Sequence, residues 1–182
     1  MMATIVSSVE ELAQIITLQK KNLKQNITAE EKSSEGFVTM EFNLPMLQEL
    51  HALAPDVIIK DGDQVVGYAI VLPLEGRIAY PALEPMFINF EKLYWKGRQL
   101  YDYKFYAMGQ ICIDKDYRGK GLFRMLYEKH REIYKEQFDF IVTEISTGNA
   151  RSSNAHKRIG FKTIDIYRDQ MDEWAVVLWD WQ

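Results

Sequence analysis

The stretch from Phe105 to Ser146 limits the possible folds more than any other part of the chain. Phe105 to Ile113 is apolar and long enough for a central strand. It runs straight into Asp114-Lys115-Asp116-Tyr117-Arg118-Gly119-Lys120-Gly121, a polar turn holding two glycines. From Gly121 to about Gln137, Leu122, Met125, Leu126, Ile133 and Tyr134 mark the inner face of an amphipathic helix. Phe138 to Ser146 then reads as a second central strand. Strand, tight turn, helix and strand in this order call for a sheet with helices packed on it.

The flanking segments fit that frame. Ser8-Val9-Glu10-Glu11 has the form of a capping box, and a helix is expected over 9–24. Residues 25–36 read as a polar loop with room for one short helical turn. Asn43 can cap a second helix with Pro45 in its first turn, and Pro55 stops it. Val57 to Lys60 and Gln64 to Leu72 form a strand pair around the turn Asp61-Gly62-Asp63. Residues 73–104 are rich in aromatics and broken by Pro81 and Pro85. A short helix from Pro85 to Leu93 and a hairpin turn at Lys96-Gly97 are expected there. Asn149 to Ile159 is a short helix ended by Gly160, and Phe161 to Arg168 and Trp174 to Trp181 are the last strands. The fold class is therefore α/β, with a mixed α+β sheet flanked by helices. Without a repeat, a low-complexity tract or a linker, residues 1–182 are expected to form one domain.

Composition excludes several functions. Of 182 residues, 47% are hydrophobic and 26% charged, the balance of a water-soluble globular protein. One cysteine cannot build a disulfide framework or a Cys-rich metal site, and no metal is expected. The net charge of −4 argues against a nucleic-acid partner. The longest apolar run, Val65 to Leu74, is about half of a membrane span, so no membrane partner is expected. The opening MMATIVSSVEELAQ lacks a basic segment and carries acids, so a cytoplasmic location is expected.

The turn at 114–123 has its own chemistry. Its glycines let backbone N–H groups approach a ligand, and the helix that follows offers free donors and partial positive charge. A pyrophosphate suits such a site, with Arg118 and Lys120 adding charge. Neither the P-loop pattern nor the dinucleotide fingerprint is present. Taken alone, the turn reads equally as a simple strand-to-helix connection.

Some thirty residues on come Thr143-Glu144-Ile145-Ser146 at a strand end, Asn149 opening a helix, His156, and Ile159-Gly160-Phe161. Over about residues 105–167 the chain resembles the GCN5-related N-acetyltransferase (GNAT) superfamily. That family's loop reads (Q/R)-x-x-G-x-(G/A), and its next half reads N-x-x-A-x-x-x-Y-x-x-x-G-F. Arg118, Gly121 and Phe123 take the loop positions, and Asn149, Ser152, His156, Gly160 and Phe161 the later ones. Two departures stand out: Phe123 where the family has Gly or Ala, and His156 where it has tyrosine.

The resemblance implies a strongly twisted sheet whose two central strands splay to admit the pantetheine arm of acetyl-CoA. It implies transfer of the acetyl group to a primary amine by direct attack in a ternary complex. The pyrophosphate is expected on the amides of Arg118, Gly119, Lys120, Gly121, Leu122 and Phe123. The pantetheine is expected along Ile111, Cys112 and Ile113, with Asn149 bonding that arm or capping its own helix. Glu144 is the candidate base, twelve residues before His156, and a carboxyl at the end of an apolar strand has its pKa raised by desolvation. Proton removal through a water and a purely ion-paired Glu144 are the alternatives. His156 is the candidate acid toward the leaving thiolate, worth about 10²-fold, or a residue that only bonds the sulfur or local backbone.

Cys112 reads as a small buried hydrophobe rather than a nucleophile. His51 and His130 are expected at the surface. Trp174, Trp179 and Trp181 are expected in the core and at the sheet edge. The acceptor is expected to be a small-molecule amine or a peptide N-terminus, recognised as a cation, and the protein a monomer or homodimer. The rival reading is a non-catalytic CoA-binding sensor or regulator of the same fold. A third is an unrelated α/β domain with an anion-binding turn.

Overall fold

The computed structural model describes residues 1–78 and 80–182. A seven-stranded sheet forms its frame, in the order β1-β2-β3-β6-β7-β9-β8. The strands are β1 (Ala3–Ile5), β2 (Val57–Asp61), β3 (Gln64–Leu72), β6 (Phe105–Ile113), β7 (Phe140–Ser146), β8 (Lys162–Arg168) and β9 (Glu173–Asp180). Only β6 and β7 run parallel, and every other pairing in this sheet is antiparallel. A separate two-stranded ribbon, β4 (Tyr94–Trp95) and β5 (Arg98–Gln99), turns at Lys96-Gly97 as expected.

The helices cover both faces. On one face α1 (Val9–Asn22), α3 (Leu44–Leu53) and α4 (Glu84–Phe90) pack through Ile15, Leu47, Leu50, Phe87 and Phe90 onto Ile58, Ile70, Phe105 and Leu178. The other face carries α5 (Leu122–Tyr134) and α6 (Ala150–Ile159), packed through Leu122, Leu126 and Tyr127 onto Val66, Tyr106, Ile141 and Phe161. Alternation along the strands feeds both cores, because successive side chains point to opposite faces. Trp174 is buried, and Trp179 and Trp181 pack on the second core.

Several local expectations need correction. β1 was not foreseen: three residues, mostly exposed, carry no alternation to read. The polar loop at 25–36 does hold a helix, α2 (Ala29–Ser34), with a reciprocal capping box between Thr28 and Glu31. At α1 only half of the expected box forms. Ser8 Oγ accepts from the Glu11 N–H, but the Glu11 carboxylate takes the Ser7 N–H at 2.7 Å and Lys60 Nζ at 2.6 Å. The lysine arriving from β2 outcompetes the reciprocal arm.

The histidines expected at the surface are not there. His130 is fully buried, with Nδ1 2.9 Å from the Tyr106 hydroxyl. The inner stripe of α5 runs through Tyr127, His130 and Tyr134, at three- and four-residue spacing. His51 is half-buried, and its Nδ1 accepts from the Asp56 N–H at 3.0 Å. It thereby closes the chain just past the end of α3. No helix among the described residues is long and apolar enough to cross a membrane.

Candidate active site

The parallel strands β6 and β7 stay together for three rungs only, Phe105–Ala107 against Phe140–Val142. Thr143 Oγ1 then donates to the Met108 carbonyl at 3.0 Å, and beyond it the strands part. On its other side β6 slips by one residue against β3, between Gln110 opposite Ile70 and Met108 opposite Val71. Gly109 is the extra residue of this bulge. A Cβ there would stand 3.2 Å from Ile70 Cγ2 and 3.4 Å from Leu72 Cβ, so a larger residue at this point would force a buried neighbour to give way by a few tenths of an ångström. The expected splay of the two central strands is present.

The wider end of the opening is a cleft of about 460 Å³. The expected cofactor residues Ile111, Cys112, Ile113, Arg118, Gly119, Gly121, Leu122, Phe123 and Asn149 all line it. Lys120 does not: its Nζ donates to the Asp116 carbonyl at 3.0 Å and lies over the Tyr117 ring. Gly119 and Gly121 hold φ of +76° and +77°, the left-handed region where a side chain is strained. Gly121 is the N-cap of α5 and no side chain caps that terminus, so its N–H donors are left for a ligand.

Arg118, Arg124, Arg151 and Arg158 line the cleft against one carboxylate, Glu35. In an acidic protein this is a local excess of cation, suited to a multiply charged anion. Arg124, Arg151, Arg158 and Glu35 were missed in the sequence. On α6, Arg151, Ala155 and Arg158 share one helical face, a spacing that could have revealed two of them. Arg118 is a strut as well as a charge. Its Nε donates to the Ile113 carbonyl, Nη1 to the Glu35 carboxylate at 2.6 Å, and Nη2 to Asn22 Oδ1 at 2.6 Å. It fastens the turn to the end of α1 and to the residue after α2.

Phe123 does not crowd the turn. Its ring leans onto Tyr127 and His156, with centroids 5.2 and 5.0 Å away, and wedges α5 against α6. Asn149 caps α6, Oδ1 accepting from the Ser152 N–H at 3.2 Å, and its Nδ2 donates to the Phe37 carbonyl at 2.9 Å. Burial pushes the Cys112 thiol up to about 12, so it stays neutral and behaves as the small hydrophobe expected.

At the narrower end, a slot of about 90 Å³ is lined by Met40, Gly109, Ile111, Thr143, Glu144, Asn149, His156 and others. Glu144 and His156 reach this slot from opposite faces of the sheet. Glu144 pairs with Val176 on the α1 face, whereas His156 is buried among Tyr127, Phe123 and Phe161 on the α5 face. Burial raises the Glu144 carboxyl to about 8; the Tyr167 hydroxyl, donating at 2.8 Å, opposes the rise, while Asp169 and Asp165 add to it. Tyr167 was also missed, because nothing in the sequence ties it to Glu144.

His156 makes the local backbone bond that was the alternative to its acid role. Its Nδ1 lies 2.8 Å from the Ser152 carbonyl, an acceptor, so Nδ1 carries the proton. Nε2 therefore accepts, from the Tyr127 hydroxyl at 2.7 Å. Burial lowers the ring to about 4, against the opposing Ser152 bond, and it is neutral near pH 7. Neither nitrogen presents a proton to the slot. Among the described residues, no three His, Cys, Asp or Glu side chains group closely enough to hold a metal.

The model of the acetyltransferase (GNAT) family matches residues 25–161. Solved structures share the fold at low identity. The ribosomal-protein-S18-alanine N-acetyltransferase of Escherichia coli aligns at 14% identity and a TM-score of 0.62, over 98% of this chain and 94% of that one. A chain from Salmonella typhimurium described as a putative acetyltransferase, solved with its cofactor acetyl-CoA, aligns at 14% and 0.61, over 99% and 94%. A chain of the NatC complex, solved with Gag peptide and CoA, aligns at 13% and 0.65 over the full length of both. No curated protein sequence matches significantly.

Proposed function

This chain belongs to the acetyltransferase (GNAT) family, and we propose that it moves the acetyl group of acetyl-CoA to a primary amine. The observation that carries this reading is the continuity of the opening. An arginine-lined cleft at an uncapped helix N-terminus leads between two splayed strands to a slot holding a desolvated carboxyl. The pyrophosphate of acetyl-CoA sits on the amides of Arg118 to Phe123, and the pantetheine runs along Ile111 to Ile113. The thioester then lies in the slot beside Glu144.

An acceptor arriving as an ammonium first gives one proton to Glu144, directly or through one water, and the nitrogen, now with a free lone pair, attacks the thioester carbonyl. The tetrahedral adduct then collapses: the C–S bond breaks, the sulfur leaves with the electron pair, and the second proton of the nitrogen passes to it or to water. A thiol of ordinary pKa about 8.5 is a competent leaving group unaided. His156, with both nitrogens engaged inside the protein, serves to hold α6 against α5. Glu144, Asp165 and Asp169 favour an acceptor that arrives as a cation, whether a small amine or a peptide N-terminus.

Release of free thiol from acetyl-CoA in the presence of a panel of amines tests this reading. The internal engagement of His156 favours a second one, a CoA-binding regulator without turnover. Tight acetyl-CoA binding with no thiol release on any amine would support it instead.

A further inference from the structure

Between Glu144 on β7 and Tyr167 on β8 lies the whole width of β9. Glu144 stands opposite Val176 and Tyr167 opposite Trp174, so both project from the α1 face of the sheet. Two strand spacings amount to about 10 Å. Only long side chains leaning toward each other can close that gap, and these two do, at 2.8 Å from the Tyr167 hydroxyl to Glu144 Oε1.

We infer that Tyr167 is a positioning residue for acyl transfer: its hydroxyl holds Glu144 Oε1 and leaves Oε2 to take the acceptor's proton. This rests on the reading of Glu144 as the base. The bond fixes the carboxyl rotamer and decides which oxygen is free. It also stabilises the ionised form, the one able to accept a proton.

No other group replaces it. From β8 and the turn beyond it Glu144 faces Asp165 and Asp169, both of which oppose its ionisation. Across the slot stand the neutral His156 of α6 and Gln110 of β6. Among the described residues, no lysine or arginine comes within ion-pair distance of Glu144, and Tyr167 is its one side-chain hydrogen-bond donor.

The test is Tyr167→Phe, measured as kcat/KM for an amine acceptor against pH, with calorimetric affinity for acetyl-CoA alongside. The rising limb of the profile is expected to move up by about one pH unit, the size of a lost bond to a charged acceptor. Turnover below the limb then falls about tenfold, while acetyl-CoA affinity stays the same. On a Glu144→Gln background, Tyr167→Phe is expected to change nothing further. Carbon-13 titration of the glutamate carboxyls reads the same shift without turnover, even in a destabilised variant. An active wild type whose limb and carboxyl titration are unmoved in Tyr167→Phe overturns this assignment alone. A wild type that releases no thiol with any amine overturns the functional reading, and this assignment with it.

Discussion

The Tyr127 hydroxyl and His156 Nε2 stand 2.7 Å apart in the core between α5 and α6. One turn along α5, His130 Nδ1 meets the Tyr106 hydroxyl in the same aromatic layer. Both rings are paired with neutral partners, and both are kept neutral by burial, His156 at about 4 and His130 at about 3.

That pairing predicts a pH dependence of stability. In the unfolded chain each histidine takes a proton near 6.5, whereas in the folded chain it does not until far lower. The folded pKa is depressed, so stability is fully present above about pH 6.5 and is lost as pH falls from there toward 4. At pH 5 the loss is about 2 kcal/mol per histidine. Glu144, shifted the other way, opposes the trend, so variants must be compared. In His130→Gln, the stability difference between pH 7 and pH 5 is expected to change by about 2 kcal/mol relative to wild type. Chemical denaturation at the two pH values measures it, and identical slopes would rule the assignment out.

Glu144 carries the opposite sign. Its folded pKa of about 8 lies above the unfolded carboxyl, so its contribution is fully present below about pH 4.5 and is lost as pH rises through 8. Glu144→Gln, which cannot ionise, is expected to be more stable than wild type above pH 8 by roughly 1–3 kcal/mol. The same variant is expected to turn over about 10²-fold more slowly with acetyl-CoA affinity intact. Melting temperature at pH 8.5 together with thiol release checks both halves. A variant that is less stable and fully active would refute the base assignment.

At Gly121 the cofactor site can be tested without catalysis. Gly121 lines the cleft, and nothing lies within 4 Å of a Cβ built there, so a side chain would meet open space rather than clash with protein. Gly121→Asp puts a carboxylate where phosphate is expected and strains a φ of +77°. Acetyl-CoA affinity is expected to fall at least tenfold, about 1.4 kcal/mol. Gly121→Ala carries the strain without the charge and separates the two effects. Equal calorimetric affinity in wild type and Gly121→Asp would place the pyrophosphate elsewhere.

Much of the site was legible because it is local in sequence. Gly119, Gly121 and the start of α5 lie within one strand–turn–helix unit, where periodicity and backbone freedom speak directly. What stayed hidden depends on contacts distant in sequence. Tyr167 reaches Glu144 across β9, Glu35 reaches Arg118 from the residue after α2, and Phe37 receives Asn149 from 112 residues away. The burial of His130 was hidden for another reason. Histidine is a weak marker of a core stripe, and His130 has no chemical partner near it in the sequence to signal that it is buried.

Asn149 is expected to act on stability rather than on cofactor affinity. Both ends of its amide are spent within the protein, on the Ser152 N–H and the Phe37 carbonyl. Asn149→Ala removes a helix cap worth about 1 kcal/mol and a second hydrogen bond of similar size, for a total near 2 kcal/mol. It also frees the Phe37 segment that lines both the cleft and the slot. Thermal unfolding and calorimetry separate the roles: unchanged stability with weakened acetyl-CoA binding would give the amide to the pantetheine instead.

Gly109 forms the bulge in β6 just beyond the rungs where β6 and β7 part. In Gly109→Ala the new methyl meets Ile70 Cγ2 at 3.2 Å, Leu72 Cβ at 3.4 Å and Phe42 Cζ at 3.5 Å. None of these is the loose end of a flexible chain, since Ile70, Leu72 and Phe42 are all buried. Overpacking of this kind costs about 1–3 kcal/mol, and the cheapest relief is to shift β6 away from β3, toward β7. That movement narrows the slot between β6 and β7 where the thioester is expected to lie. Gly109→Ala is therefore expected to lose stability and also to weaken acetyl-CoA binding and turnover, unlike Asn149→Ala. A Gly109→Ala protein with lowered melting temperature but wild-type affinity and rate would show that the bulge serves the core alone, and that the opening of the sheet has another cause.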